Sequence, residues 1–456
     1  MTDRISALLT FFIHDKAHHA YRQPPVDRYE LARSFSEART PALERSVERL
    51  LYMLDNEQPV VFPNERIAFT RTIPVLPELF TPEELAELKK THWIHEQGEV
   101  CNINVDYAKL MNTGFDAKRE ELKRLAQARR EKGETEKADY LLAQECILAH
   151  AQQLADRYAA QAKAIGNETV AQTLAQVPAK APRNLLEAMQ MFRILHFIMW
   201  AGHNYHNTVG RLDQYMYPYL ARDIADGVYT QETALELVEE FFLTFNRDSD
   251  LYTGMQQGDN GQSMMLGGCG RDGQCAVNEL TFLCLQAALD NRQIDPKINL
   301  RVDKNTPLSL YEKGTELTRQ GLGFPQYAND DVVIPALISM GYAPEDARDY
   351  TVAACWEFII PGKGMDIPNI GAVSLADVVS RMVREKLVSC HTYEEFFALV
   401  KQELFRRADE LEASLKPLWV EPAPYQSLLM SDWRQDISLG AKYNNYGIHG
   451  TGFATA

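Results

Sequence analysis

Past Gly254 the chain alternates short β-prone runs, such as Lys297-Ile-Asn-Leu-Arg-Val302, with helical stretches such as Leu308 to Gln320, and Gly and Asn clusters punctuate the joins. Parallel strands need long crossovers, which helices supply, so this alternation predicts an α/β fold with a mainly parallel sheet. Ahead of it the texture is helical. Ala, Leu, Glu, Lys and Arg dominate Lys118 to Lys132 and Glu134 to Ala164, which predicts long surface helices. Asn184 to Trp200 and Thr230 to Phe245 are far more apolar at helical spacing, and each follows a capping-type residue or a Pro/Gly break, so both are expected to pack against the sheet. The 456 residues show no repeat at a solenoid period and no low-complexity linker, which favours one large domain.

Several function classes are disfavoured at once. Lys plus Arg number 47 against 63 for Asp plus Glu, a formal charge of −16 that argues against nucleic acid or an anionic membrane surface as partner. Ile5 to Ile13 is apolar but flanked by Asp3 and His14-Asp15-Lys16 without a small-residue cleavage site, so it reads as an amphipathic helix rather than a leader. Met189 to Trp200 is interrupted by Arg193 and His196 and falls short of the ~18 apolar residues of a membrane span. Seven cysteines, an odd number without a CxxC pair, indicate neither a disulfide framework nor a zinc ribbon and suit a reducing cytoplasm. The histidines show no metal-ligand spacing, and no bound metal is expected. Gly267-Gly-Cys-Gly270-Arg-Asp-Gly273-Gln lacks the Lys and Ser/Thr of a phosphate loop, so its glycines are read as turn formers.

The most informative segment is Tyr350-Thr-Val-Ala-Ala-Cys355-Trp-Glu357-Phe-Ile-Ile-Pro-Gly362. In an extended loop, residues i and i+2 point the same way, so a sulfur and a carboxylate are expected to face one chamber. Taken alone, a C-x-E is more often a buried apolar thiol beside a glutamate paired elsewhere. Its surroundings change that balance: Gly321-Leu-Gly-Phe-Pro325-Gln-Tyr-Ala-Asn329-Asp330 and Gly341-Tyr-Ala-Pro-Glu345-Asp-Ala-Arg348-Asp349-Tyr350 upstream, Tyr443-Asn444-Asn-Tyr-Gly447-Ile-His-Gly450-Thr-Gly452-Phe-Ala454 downstream, and Gly210-Arg211-Leu-Asp213-Gln214 with Tyr217-Pro218-Tyr219. In matching order from about residue 55 to the last residue, these segments resemble the glycyl radical enzymes, the superfamily of pyruvate formate-lyase and the glycerol and choline lyases. Trp356, where better-known lyases usually carry Val, looks most like the YjjI-type branch.

The resemblance implies a ten-stranded β/α barrel with surrounding helices, with fingertip loops meeting at its centre. It divides one domain, 1–456, into a helical part at about 1–180 and a barrel core at about 181–456. Cys355 matches the cysteine that becomes a thiyl radical and removes a hydrogen atom from substrate; Glu357 matches the acid/base two residues on. Ala354 stands where pyruvate formate-lyase has a second thiol, so acyl transfer to coenzyme A is disfavoured and dehydration or another lyase reaction on a small polar substrate is expected, with radical decarboxylation as an alternative. Asn102, Asp106 and His206 are candidate substrate contacts, at positions where relatives carry a His, the same Asp and a His-Ser pair. No cofactor is expected to bind directly. The radical would be installed on a glycine by an iron–sulfur, S-adenosylmethionine-dependent activase, and a homodimer is the family habit. The resemblance also implies an R-V-x-G-[FY] loop in a C-terminal domain; no Arg-Val-x-Gly occurs in these residues, so the chain as given is expected to be inactive alone. The competing expectations are a non-catalytic or split-subunit homologue that binds an activase or a glycine-bearing subunit, and an ordinary cysteine hydrolase.

Overall fold

A computed structural model describes residues 1–94, 102–254 and 258–456. Lys297–Val302 is a strand over the same six residues that the sequence pattern picks out, and all six are buried. It lies between Ser263–Gly267 and Gln326–Asn329 in a parallel three-stranded sheet, with Ser263 opposite Lys297, Met265 opposite Asn299, and Arg301 opposite Ala328. The strand period of two then sorts the side chains. Met264, Leu266, Ile298 and Leu300 join the main hydrophobic core with Leu280 and Leu285 of helix Glu279–Asn291 and Leu310 and Leu317 of helix Leu308–Thr318. The opposite face carries Ser263, Met265, Lys297, Asn299 and Arg301, a mostly polar set that is nonetheless buried. Burial on both faces is what parallel sheets require, and polar groups on the buried face need hydrogen-bond or charge partners there.

Isolated bridges extend the sheet: Gly210 pairs with Met264, and Ile103 pairs with both Asn207 and Met365. Gly364–Ser374 in turn pairs in parallel with Tyr443–Thr451. Seven strand-like segments therefore follow one another in space, at 443–451, 364–374, around Ile103, 207–210, 263–267, 297–302 and 326–329. Hydrogen bonding among the described residues thus yields ladders of two and three strands with bridges between them, and does not delineate the expected ring of ten. The reason is local: near Ile103 the backbone is held by single bridges and by the Asn104 amide, whose Nδ2 donates to the carbonyls of Val105 and Thr208, instead of by a continuous ladder.

The helices follow the sequence with one correction. Leu185–Ala201, capped by Asn184 Oδ1 accepting from the Glu187 N–H, is buried along nearly its whole length, and each fully buried large apolar side chain contributes about 1.5–3 kcal/mol. Its Arg193 pairs with Asp248 at 2.6 Å, both side chains fully buried. Gln231–Leu243 begins at a Thr230–Thr233 capping box. Thr135–Ala164, expected at the surface, packs instead against Gly114–Arg130 and buries Leu141, Ile147, Leu148, Leu154 and Tyr158. Alanines on the same face obscure that apolar stripe in the sequence. At the start, Asp3–Leu9 continues into a π-helical turn, Thr10–His14, and Ile5, Leu8 and Phe12 pack on Val60, Phe62 and Leu243. No helix among the described residues is long and apolar enough to cross a membrane.

Candidate active site

Thr351–Ala353 and Glu357–Ile359 form an antiparallel hairpin in which Ala353 is opposite Glu357, leaving Ala354, Cys355 and Trp356 as its turn. The segment is therefore a tight turn rather than the extended loop expected from sequence, and the turn itself brings thiol and carboxylate together. Glu357 Oε2 accepts hydrogen bonds from the N–H groups of Cys355 (3.0 Å) and Trp356 (2.9 Å). The stem is moored on both sides: Thr351 Oγ1 donates to Asn104 Oδ1 at 2.9 Å, and Ser263 Oγ donates to the Ala354 carbonyl at 2.7 Å. Ala354 adopts a φ of 48°, in the left-handed region that a side chain with Cβ occupies at a cost of about 1–2 kcal/mol. Such strain persists only where its surroundings over-determine it, and here it sits one residue before the sulfur.

The stem from Thr351 to Ala354 is buried, whereas Cys355 and Trp356 at the tip are exposed. The enclosed chamber expected around the sulfur is thus not formed by the described residues, which wall the stem and leave the tip open. Partial desolvation by the walls of the stem still pushes the Cys355 thiol up; Lys297 opposes this, and Glu357 and Asp259 add to it. Lys297 and Asp259 form an ion pair beside the sulfur, a neighbourhood that the sequence reading missed because the two residues arrive from the start of one strand and the loop before another.

Asp366, on Gly364–Ser374, was also missed. Its carboxyl is buried, its Oδ1 has no hydrogen-bond partner among the described residues, and burial together with the nearby Glu357 raises it to about 7. An aspartate inside the apolar run Met365 to Ile367 is the signal that could have found it. Its N–H donates to the Asn102 carbonyl at 3.3 Å. Asn102 Oδ1 accepts from His206 Nδ1 at 2.5 Å, and Asn102 Nδ2 is buried without a partner among the described residues. Both Asn102 (φ 40°) and His206 (φ 59°) are left-handed, as Ala354 is, so backbone strain collects around this one site. The His206 ring lies against Gly261, where a Cβ would come within 2.1 Å of its Cδ2.

Hydrogen bonds from His206 to Asn102 to Asp366 and between Glu357 and Cys355, with the charge of Glu357 felt at Asp366, relate four of the five residues singled out from sequence to one another. Asp106 is not among them. It lines a separate pocket of about 130 Å³ with Arg211, Arg271 and Asp349, because the chain turns away after Ile103 and the Asp106 N–H donates to the Leu429 carbonyl. In the Gly210-Arg211-Leu-Asp213 segment, Asp213 Oδ2 accepts from the Gly267 N–H and Thr281 Oγ1, which is a structural task. Cys101 lies outside the described residues.

A mainly parallel α/β sheet whose polar inner face holds a hairpin tipped with a thiol and a carboxylate defines a class of enzyme scaffold. The chain belongs to the pyruvate formate lyase-like family, whose model matches residues 80–386. It is 28% identical over 412 residues to the (2S)-3-sulfopropanediol dehydratase of Klebsiella oxytoca, an alignment covering 80% of this chain and 50% of that protein. Its fold matches the glycerol-bound B12-independent glycerol dehydratase from Clostridium butyricum with a TM-score of 0.78 at 22% identity, over 99% of this chain and 69% of that one. It also matches a glycyl radical enzyme from Archaeoglobus fulgidus with a TM-score of 0.75 at 21% identity, over 99% and 70% of the two chains. The chain spans about half the length of the curated relatives it matches.

Proposed function

We propose that this protein is the scaffold of a glycyl radical lyase of the dehydratase kind, acting on a small polar substrate, with Cys355 as hydrogen-atom abstractor and Glu357 as proton-transfer group. The observation that carries the reading is the Glu357 carboxylate bound to the N–H of Cys355 at the tip of a moored, strained turn. The site suits a radical partner. Partial desolvation favours the protonated thiol, the form that yields a hydrogen atom, and the open tip leaves room for a glycine-bearing loop. A glycyl radical, installed by an S-adenosylmethionine-dependent iron–sulfur activase, would supply the unpaired electron. No Arg-Val-x-Gly occurs in the 456 residues, so this reading assigns the glycine to a segment or subunit outside them.

In this scheme the Cys355 sulfur, as a thiyl radical, takes a hydrogen atom from a substrate carbon to become the thiol and later returns that atom to the product radical, so the thiyl is regenerated. Glu357 accepts a proton from the substrate hydroxyl on that carbon and passes it to the neighbouring group, which leaves as its conjugate acid, so the carboxylate is restored. Asp366, protonated up to about pH 7, is suited to donate a hydrogen bond to a substrate hydroxyl, and Asn102 Nδ2 offers a second donor beside it. Ala354 in place of a second thiol speaks against acyl transfer. Trp356 favours the YjjI-type branch. A ten-stranded barrel, one domain over 1–456, a homodimer and an anaerobic cytoplasm complete the reading.

The test is the intact protein with its activase under anaerobic conditions, followed by electron paramagnetic resonance and by product formation from small diols and hydroxy acids. A glycyl signal with turnover that Cys355→Ala abolishes is expected. Turnover retained by Cys355→Ala would overturn the assignment, and a chain that takes up no radical under any pairing would make it a non-catalytic homologue.

A further inference from the structure

Cys269 and Cys275 face each other across a short hairpin that the reaction above does not use. An antiparallel bridge joins them, and the bonds that frame it run between their neighbours: the Gly270 N–H donates to the Gln274 carbonyl and the Ala276 N–H to the Gly268 carbonyl, both at 2.8 Å. Bonds on flanking residues define a non-hydrogen-bonded pair, where Cα atoms are ~4.5 Å apart and the two side chains leave the same face. A disulfide spans Cα separations of about 4.4–6.8 Å, so joining these sulfurs takes side-chain rotation and no backbone rearrangement. Both thiols are free; Cys275 is exposed and Cys269 buried.

The hairpin is also tied to the candidate site. Arg301 Nη2 donates to Cys269 Sγ at 3.6 Å, the Cys269 N–H donates to Asp330 Oδ2 at 3.0 Å, and Arg211 Nη2 donates to the Cys269 carbonyl at 2.8 Å. Arg301 Nη1 in turn donates to the carbonyl of Tyr350, the residue that leads into the Cys355 hairpin. Gly268, at φ +71°, permits this approach: a Cβ there would lie 2.6 Å from Arg301 Cβ and 2.8 Å from Asp330 Oδ2.

We propose that Cys269 and Cys275 form a reversible dithiol–disulfide couple, a redox modification site whose oxidant is a low-molecular-weight disulfide of the glutathione type. The exposed Cys275 thiolate attacks one sulfur of the oxidant, forming a mixed disulfide and releasing one thiolate. Cys269, deprotonated in turn, attacks the Cys275 sulfur and releases the second thiolate. The two protons lost by the cysteines end on the two released thiols, and two electrons pass from the protein to the oxidant. In a reducing compartment the couple rests as the dithiol, and oxidant closes it, which is the usual role of intracellular disulfides. Closure draws Cys269 Sγ away from Arg301 and so reaches the contacts that hold Tyr350. The couple stands whichever reaction the Cys355 hairpin performs.

The test uses the full folded chain carrying Cys355→Ala, so that the exposed tip thiol does not compete. The reduced protein is incubated with excess oxidised glutathione, blocked with iodoacetamide, digested and mapped by mass spectrometry. A Cys269–Cys275 linked peptide lacking two hydrogens, reversed by dithiothreitol and absent from a Cys275→Ser version, is expected, with the circular dichroism spectrum unchanged. Alkylation of both cysteines, a glutathione adduct persisting on Cys275 beside an alkylated Cys269, or a link that forms only in urea would each overturn the proposal.

Discussion

Glu357 holds the turn that carries Cys355: a single oxygen, Oε2, receives the N–H groups of Cys355 and Trp356, so carboxylate and sulfur are held to each other through the backbone of the turn. Glu357→Gln keeps an amide oxygen able to accept both bonds and removes the titrating proton. The fold is expected to persist while turnover of the activated enzyme falls by about 10²–10⁴. Glu357→Ala also leaves the turn N–H groups unbonded, at a further cost of about 1 kcal/mol in denaturant titrations. Unaltered turnover in the Gln variant would remove Glu357 from the chemistry.

Asp366 makes stability depend on pH in a definite direction. Its carboxyl titrates near 7 in the folded protein against an ordinary value of 3.8. Between those values the unfolded chain has lost the proton and the folded protein retains it, so stability falls as pH rises through this window, and the loss is complete above about 7. Asp366→Asn is expected to raise the thermal midpoint at pH 8 by an amount on the order of a few kcal/mol in stability, and to change it little at pH 4. Equal effects at both pH values would contradict the shift.

Arg301 and Asp330 are paired through two bonds, at 2.8 and 2.9 Å, in a buried setting. Burial alone would raise the Asp330 carboxyl, and the Arg301 hydrogen bonds and charge overcome that and lower it. Removing one partner strands the other, so Arg301→Leu or Asp330→Asn is expected to cost about 3–5 kcal/mol in chemical denaturation. The double variant Arg301→Leu/Asp330→Leu should recover part of that loss, whereas additive losses would mean that the pair is not coupled.

Gly261 is the backing of the His206 ring. Gly261→Ala places a methyl where Cδ2 now lies, at a backbone φ of +70°, and is expected to displace His206 from Asn102 and cost at least about 1–2 kcal/mol. Histidine NMR resonances report the displacement, and an unmoved His206 signal with unchanged stability would refute this packing argument.

Much of the frame was legible in the sequence because it is local. The Lys297 to Val302 run, the Asn184-capped apolar helix and the Thr230 cap each encode their element within a few residues. Cys355 and Glu357 were legible because two positions apart in one chain is a short-range relation. The partners of that pair were not: Asp366, Lys297 and Asp259 join it through pairing between distant segments, which no window of sequence displays. Asp106 lies apart from that pair for the converse reason, since it is close in sequence to Asn102 yet the bridge at Ile103 separates their directions. Left-handed backbone at Asn102 and His206 was open to a reader of composition, as Asn and His tolerate that region; at Ala354 it was not.

The Ser263 hydroxyl bond to the Ala354 carbonyl ends one peptide unit from Cys355. Cys355 is thus registered to the sheet almost at its own backbone, and the short length of the hairpin gives little lever arm for drift. An open tip in this arrangement is not a loose one: whatever meets the sulfur there must come to a fixed point, and the adjustment falls to the incoming partner.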